Sequence, residues 1–173
     1  LYIAEPDSYR VRKVDASGII NDVIGNGMRS FCGENVPARD ACLNRPNGIT
    51  LDAARNIYFS DQNNRRVRKI SAATGIITTV AGGNGVLLGD GGPAVNAYLP
   101  SGPAGITVDP AGNLYFAAGG RVRRVDGASG IITTFVGAGG TGFAGDGGPA
   151  YSAKLNGVSR VALDAAGNLY LTD

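Results

Sequence analysis

The residues of this chain most able to do chemistry stand in two settings. Gly89-Asp90-Gly91-Gly92-Pro93-Ala94 returns unchanged as Gly145-Asp146-Gly147-Gly148-Pro149-Ala150, and a divergent copy reads Gly33-Glu34-Asn35-Val36-Pro37-Ala38. A polar run, Asp61-Gln62-Asn63-Asn64-Arg65, leads from the apolar Ile57-Tyr58-Phe59 into Arg66-Val67-Arg68-Lys69-Ile70. One carboxylate per loop falls short of the six or more oxygens that calcium takes, so no metal is expected. Gly-Asp-Gly-Gly also suits a tight connection, with glycines at positive φ and an aspartate closing an Asx-turn. The chain has no histidine, which removes His-dependent triads, His metal ligands and the simplest general base. No catalytic residue and no cofactor is expected here, and the chain reads as a non-enzyme.

Cys32 and Cys42 are the two cysteines. With no further Cys or His they cannot build a structural zinc site, which leaves a disulfide or two free thiols. Both lie in the connection that has lost the glycine motif. Aligned on the sister connection, Cys32 takes the place of Ala144 and Cys42 that of Lys154, and neither is a core position. Paired cysteines arising together at surface positions point to a bridge rather than to two small core residues. The expectation is a Cys32–Cys42 disulfide and an oxidising, extracellular or cell-surface location.

The elements that position these loops repeat. Ile106 and Val108 alternate with Thr107 and Asp109, the period of a strand. Asp109-Pro110-Ala111-Gly112-Asn113 carries turn chemistry, and Leu114-Tyr115-Phe116 returns with apolar residues on both faces. The same hairpin spans 48–59 and 160–171, and Leu1-Tyr2-Ile3 is half of another. Tyr2, Tyr58, Tyr115 and Tyr170 stand 56, 57 and 55 residues apart, a period that marks a repeated supersecondary unit. A third strand follows at Arg10-Val11-Arg12-Lys13-Val14, Arg66-Val67-Arg68-Lys69-Ile70 and Arg121-Val122-Arg123-Arg124-Val125, and a fourth at 19–24, 76–80 and 131–136. Four strands joined by short turns make an antiparallel meander, too small to cover both its faces except by stacking on copies around an axis. The units run over about 1–47, 48–104 and 105–159, with a further one starting at 160–173. The chain opens and closes inside strands, and thirteen strands exceed three blades, so a piece of a longer propeller is expected.

In the order Gly-Asp-Gly-Gly-Pro-Ala, then a Gly-Ile-x-Val-Asp hairpin with Gly-Asn-Leu-Tyr, then Arg-Val-Arg-Lys-Val, then Ser-Gly-Ile-Ile, the chain resembles the NHL repeat family. The resemblance covers nearly all of it, in about three copies. It implies an all-β fold, a β-propeller segment of about three four-stranded antiparallel blades, of the kind found in bacterial secreted and surface proteins and in teneurins. The chain departs from the pattern at Arg55, where other units have Gly112 or Gly167, and at Ala118, where Asp61 and Asp173 stand elsewhere.

Alternating strand direction brings the turns between second and third strands and the long connections to one face. That face gathers Asp61, Gln62, Asn63, Asn64 and Arg65 with Asp90 and Asp146, the residues expected to meet a protein or carbohydrate ligand. The arginines of the third strands could form a basic array, but acidic neighbours and 7% aromatic residues make nucleic acid an unlikely partner. Nothing approaches the roughly 18 apolar residues of a membrane span. The partners expected are the remaining blades of a parent propeller or a second copy. The reading is a recognition or structural module of a larger protein; the alternative is part of a propeller lyase or hydrolase whose catalytic residues lie in other blades.

Overall fold

The computed structural model describes residues 1–83 and 85–173. β1 (Tyr2–Glu5), β2 (Arg10–Val14) and β3 (Ile20–Ile24) form the first sheet. The second comprises β5 (Pro46–Leu51), β6 (Ile57–Asp61), β7 (Arg66–Ile70) and β8 (Ile76–Ala81), with β4 (Val36–Pro37) added outside β8. The third holds β9 (Pro103–Val108), β10 (Leu114–Ala118), β11 (Val122–Val125) and β12 (Ile132–Val136), and β13 (Arg160–Leu163) pairs with β14 (Leu169–Thr172). All pairings between these strands are antiparallel. The sheets cut across the sequence units: residues 35–38 precede the second unit in the chain yet hydrogen-bond to its last strand.

The second and third sheets are buried on both faces because successive residues of one strand serve two different cores. On β6, Phe59 packs with Val11, Ile24, Ile70 and Ile77 toward the first blade, while Tyr58 packs with Ile106, Leu114 and Phe116 toward the third. Tyr115, on β10, joins Val122, Leu155, Val158 and Val161 in a core shared with the fourth blade. A fully buried Phe such as Phe59 contributes about 2–3 kcal/mol by leaving water.

The first strands of the complete blades stand closest to one another. A Cβ on Gly48 would stand 2.5 Å from the Ala104 carbonyl oxygen, and one on Gly105 would stand 2.6 Å from Arg160 Cα. Gly105 N donates to Ser159 O at 3.0 Å, and Arg160 Nη1 reaches across to Asn47 Oδ1 at 3.1 Å. These are the marks of strands crowded around an axis.

The first turn of each hairpin is held by one repeated network. Asp52, Asp109 and Asp164 each accept the backbone N–H of Asn56, Asn113 and Asn168 at 2.8 Å. The same carboxylates accept the Asn side-chain amides at 2.7–2.8 Å and the hydroxyls of Tyr58, Tyr115 and Tyr170 at 3.1–3.3 Å. The tyrosine period therefore reports a polar lock as well as a core position. The turn closes through a left-handed residue, Gly112 and Gly167 at φ 86° and Arg55 at φ 65°.

Two outcomes follow. Arg55→Gly removes a left-handed penalty of about 1–2 kcal/mol against a glycine entropy cost of about 0.5–1, so urea unfolding should show a net gain of about 0.5–1 kcal/mol. Burial alone raises Asp52 and Asp109, but the Asn and Tyr donors outweigh it and hold both below the ordinary value; Asn168 and Tyr170 lower Asp164. Carboxyls depressed in the folded state add stability that is fully present above the unfolded value of about 3.9 and is lost as pH falls through the folded value. The urea midpoint should be level from about pH 7 to 5 and fall below about pH 4, less steeply in Asp109→Asn.

Candidate binding face

The polar turn between β6 and β7 is a single 3-10 turn over Gln62–Asn64 that ends on Arg65 in the left-handed region, φ 54°. Its shape is set from beneath by Asp61, which has no exposed surface. Asp61 Oδ1 accepts Asn44 N at 2.8 Å, Oδ2 accepts Asn64 Nδ2 at 2.9 Å, and Arg68 Nη1 lies 3.6 Å away. Burial pushes Asp61 up and Arg68 down from their ordinary values, with these partners working against both shifts. Asn64 also donates to Ser30 O at 2.8 Å. Asp61 and Asn64 are thus committed inside the chain. Asn63 and Arg65 face solvent, Arg65 with its guanidinium 5.4 Å above the Tyr98 ring and Nη1 3.2 Å from its hydroxyl. Half-buried Gln62 lines a hollow of about 430 Å³ together with Ser101, Gly119, Gly120 and Asn156.

The acids of the glycine motif do something else. Asp90 Oδ1 lies 2.6 Å from Arg123 Nη2, and its Oδ2 accepts Thr134 Oγ1 at 2.8 Å. Glu34 repeats the arrangement one blade earlier, with Arg68 Nη2 at 3.4 Å and Thr79 Oγ1 at 2.8 Å. Just after each acid the backbone is added outside the last strand of the following blade. Gly91 N donates to Ile132 O, Ile132 N to Gly92 O and Ala94 N to Gly130 O, matched by Asn35 N to Ile77 O and Ala38 N to Gly75 O. The motif is a latch from one blade to the next, and Gly89 and Gly91, at φ 77° and 80°, allow its turn. Asp146 is exposed and has no partner among the described residues.

The seven residues singled out from the sequence therefore do not converge. Asp61 to Arg65 sit on the second blade, Asp90 clamps the third, and Asp146 stands at the rim of the fourth. The third-strand arginines do not form an exposed basic array: Arg68 and Arg123 are 0% and 1% exposed. Their acid partners stand 34 and 33 residues upstream and their threonines 11 downstream, a spacing that repeats in the sequence and could have revealed the latch. Among the described residues no three His, Cys, Asp or Glu side chains gather where they could hold a metal.

The family described as "Teneurin NHL domain" matches residues 27–88 and 87–144. The chain belongs to this family. It is 32% identical over 150 residues to mouse teneurin-4 and 33% identical over 150 residues to mouse teneurin-3, in each case covering 79% of the chain and 5% of the relative. The chain thus spans about one twentieth of the length of these relatives. Among solved structures it is similar to a Bacteroides thetaiotaomicron protein of unknown function (TM-score 0.73, 20% identity, 98% of this chain and 40% of that one). It is also similar to a Staphylococcus aureus virginiamycin B lyase (TM-score 0.55, 17% identity, 99% of this chain and 44% of that one). These structural likenesses show the fold. No helix among the described residues is long and apolar enough to cross a membrane.

In the first connection of this NHL chain, Cys32 and Cys42 form the expected disulfide, with Cα atoms 4.8 Å apart. They face each other across an antiparallel bridge, and Ala144 and Lys154 form the same bridge in the sister connection without cysteines, Lys154 N donating to Ala144 O at 2.9 Å. The disulfide clips an approach that the loop makes by itself. Closing a loop this short stabilises by about 2.5–3 kcal/mol through the unfolded chain. Cys32→Ser/Cys42→Ser should lose about that much in urea unfolding with the fold retained, and loss of the β-sheet circular dichroism signal at 25 °C would contradict the clip's secondary role.

Proposed function

We propose that the chain is a non-enzymatic recognition or structural propeller module of a larger extracellular or cell-surface protein. The disulfide carries this reading: such bonds persist in oxidising compartments. Membership of the teneurin NHL family supports the modular part. Recognition, on this reading, uses the loop face. Asn63 and Arg65 are exposed on the turn and Gln62 lines a hollow from it, while Asp61 holds the turn in shape. The ligand is a protein or carbohydrate. Asp90 and Asp146 belong to contacts between blades, with the remaining blades of a propeller or a second copy as partner. Nucleic acid is disfavoured because Arg68 and Arg123 are buried and Arg12 is paired with Glu5 and Asp22.

The lyase likeness does not change this reading. A histidine-to-alanine variant of virginiamycin B lyase is catalytically inactive; this chain spans 44% of that protein and holds no histidine, so a lyase reading would need its catalytic residues in other blades.

The test is on intact cells that make the protein. A membrane-impermeant amine reagent should label exposed Lys154, and Cys32 and Cys42 should resist alkylation until reductant is added. Labelling only after lysis, together with two alkylatable thiols, would overturn the extracellular reading.

A further inference from the structure

The cleft between the first and second blades departs from its sisters at three positions, all in one electrostatic sense. Arg39 stands where the later units have Val95 and Tyr151, Arg55 where they have Gly112 and Gly167, and Ser71 where the first and third units have Asp15 and Asp126. All three line one cavity of about 570 Å³, and so does Lys13. Lys13, Arg39 and Arg55 give its lining a formal charge of +3, whereas the aligned positions of the next blade pair hold Lys69 and Asp126, which cancel.

These cations are not consumed inside the chain. Arg39 and Arg55 are exposed, and neither guanidinium has a hydrogen-bond or ion-pair partner among the described residues. Asp52, on the turn that carries Arg55, is taken by Asn56 and Tyr58, and Asp40 beside Arg39 does not line the cavity. Lys13 rests with its Nζ 5.9 Å from the Tyr2 ring centroid, a contact that leaves its charge in place. Ser71 Oγ and Thr74 Oγ1 accept the N–H groups of Thr74 and Ile76 at 3.3 Å, so their own hydroxyl hydrogens remain to be donated. Arg55 holds a left-handed φ of 65° at a site where glycine is unstrained, and what its side chain adds is a charge at this cavity.

The ligand follows from these groups. Guanidinium forks pair bidentately with carboxylate or phosphate, and free hydroxyl donors beside them select an oxyanion. Ile24, Ile57 and Ile70 also line the cavity, and they favour an apolar body to carry that oxyanion. The volume falls within the range of about 300–1,000 Å³ common to small-molecule sites.

We propose that this cleft binds a small organic anion, an apolar body bearing a carboxylate or phosphate, with Arg39 and Arg55 on the anionic group and Ser71 and Thr74 donating to it. The site is separate from the loop-face turn over Gln62–Asn64 and stands whether or not the protein is extracellular. It is tested by titrating the full chain with phenyl phosphate, benzoate, inorganic phosphate and the neutral benzyl alcohol while following amide NMR shifts. Phenyl phosphate or benzoate should shift Thr74 and Gly75 saturably, at least about tenfold more tightly than benzyl alcohol and more weakly as salt is raised. The tighter of the two names the anionic group. Three substitutions bring in the residues of the sister clefts: Arg39→Val, Arg55→Gly and Ser71→Asp. Each should weaken binding at least about fivefold with the shifts of β9 to β12 unchanged, and Arg55→Gly should do so in a chain that is more stable, which separates lost binding from lost folding. No saturable shift at Thr74 and Gly75 with either organic anion, or unchanged affinity in the three variants, would overturn the site. Equal binding of benzyl alcohol would overturn the role of charge, and equal binding of inorganic phosphate would overturn the role of the apolar body.

Discussion

A sheet of four short strands has two apolar faces and no interior of its own, and everything else in this molecule answers that constraint. Phe59 and Tyr58 are neighbours on one strand but belong to different cores, so neither blade face is complete until the next blade covers it. Burial between blades is non-directional and does not by itself select a register. The register comes from polar contacts placed where blades meet.

The carboxylate and guanidinium latch supplies part of that register. Removing Arg68 and Arg123 from water is costly, and a buried ion pair repays its desolvation only when its geometry is good and its remaining donors are satisfied. The structure places the acid on a strip that also hydrogen-bonds the outer strand, so charge and backbone select the same alignment. The third blade shows how these parts depend on one another. Asp61 exists to accept the Asn44 N–H and to face Arg68. At the equivalent place the third blade has Pro100, which has no N–H, and its strand ends in Ala118 instead of an acid. Donor and acceptor have gone together.

The disulfide fits the same logic. The first connection keeps Gly33 but has Asn35 and Val36 where its sisters have two glycines, and a covalent bond holds the approach that Ala144 and Lys154 make through backbone pairing alone. The connection that lacks Gly-Asp-Gly-Gly keeps an acid, Glu34, that reaches Arg68 and Thr79 from a turn in which Gly33 and Asn35 take left-handed φ, 77° and 59°, as Gly89 and Gly91 do.

The strands, turns, repeat period and propeller architecture were legible in the residues because they rest on local rules: alternation along a strand, positive-φ turn chemistry, and a spacing of 55–57 residues. The pairing of Cys32 with Cys42 was legible too, since sister loops provided its alignment. The candidate site was legible only in part. Asp61, Asp90 and Asp146 appeared as equivalent acids on one face, whereas one is a buried strut, one a closed latch and one exposed with no partner among the described residues. That difference depends on which arginine of another strand has been brought against each carboxylate: Arg68, seven residues on, for Asp61; Arg123, 33 residues on, for Asp90; and none among the described residues for Asp146. Sequence by itself determined which residues could form strands, turns and a bridge; only the stacking of blades decided which charges are buried and which remain open, because desolvation is a property of what covers a group and not of the group.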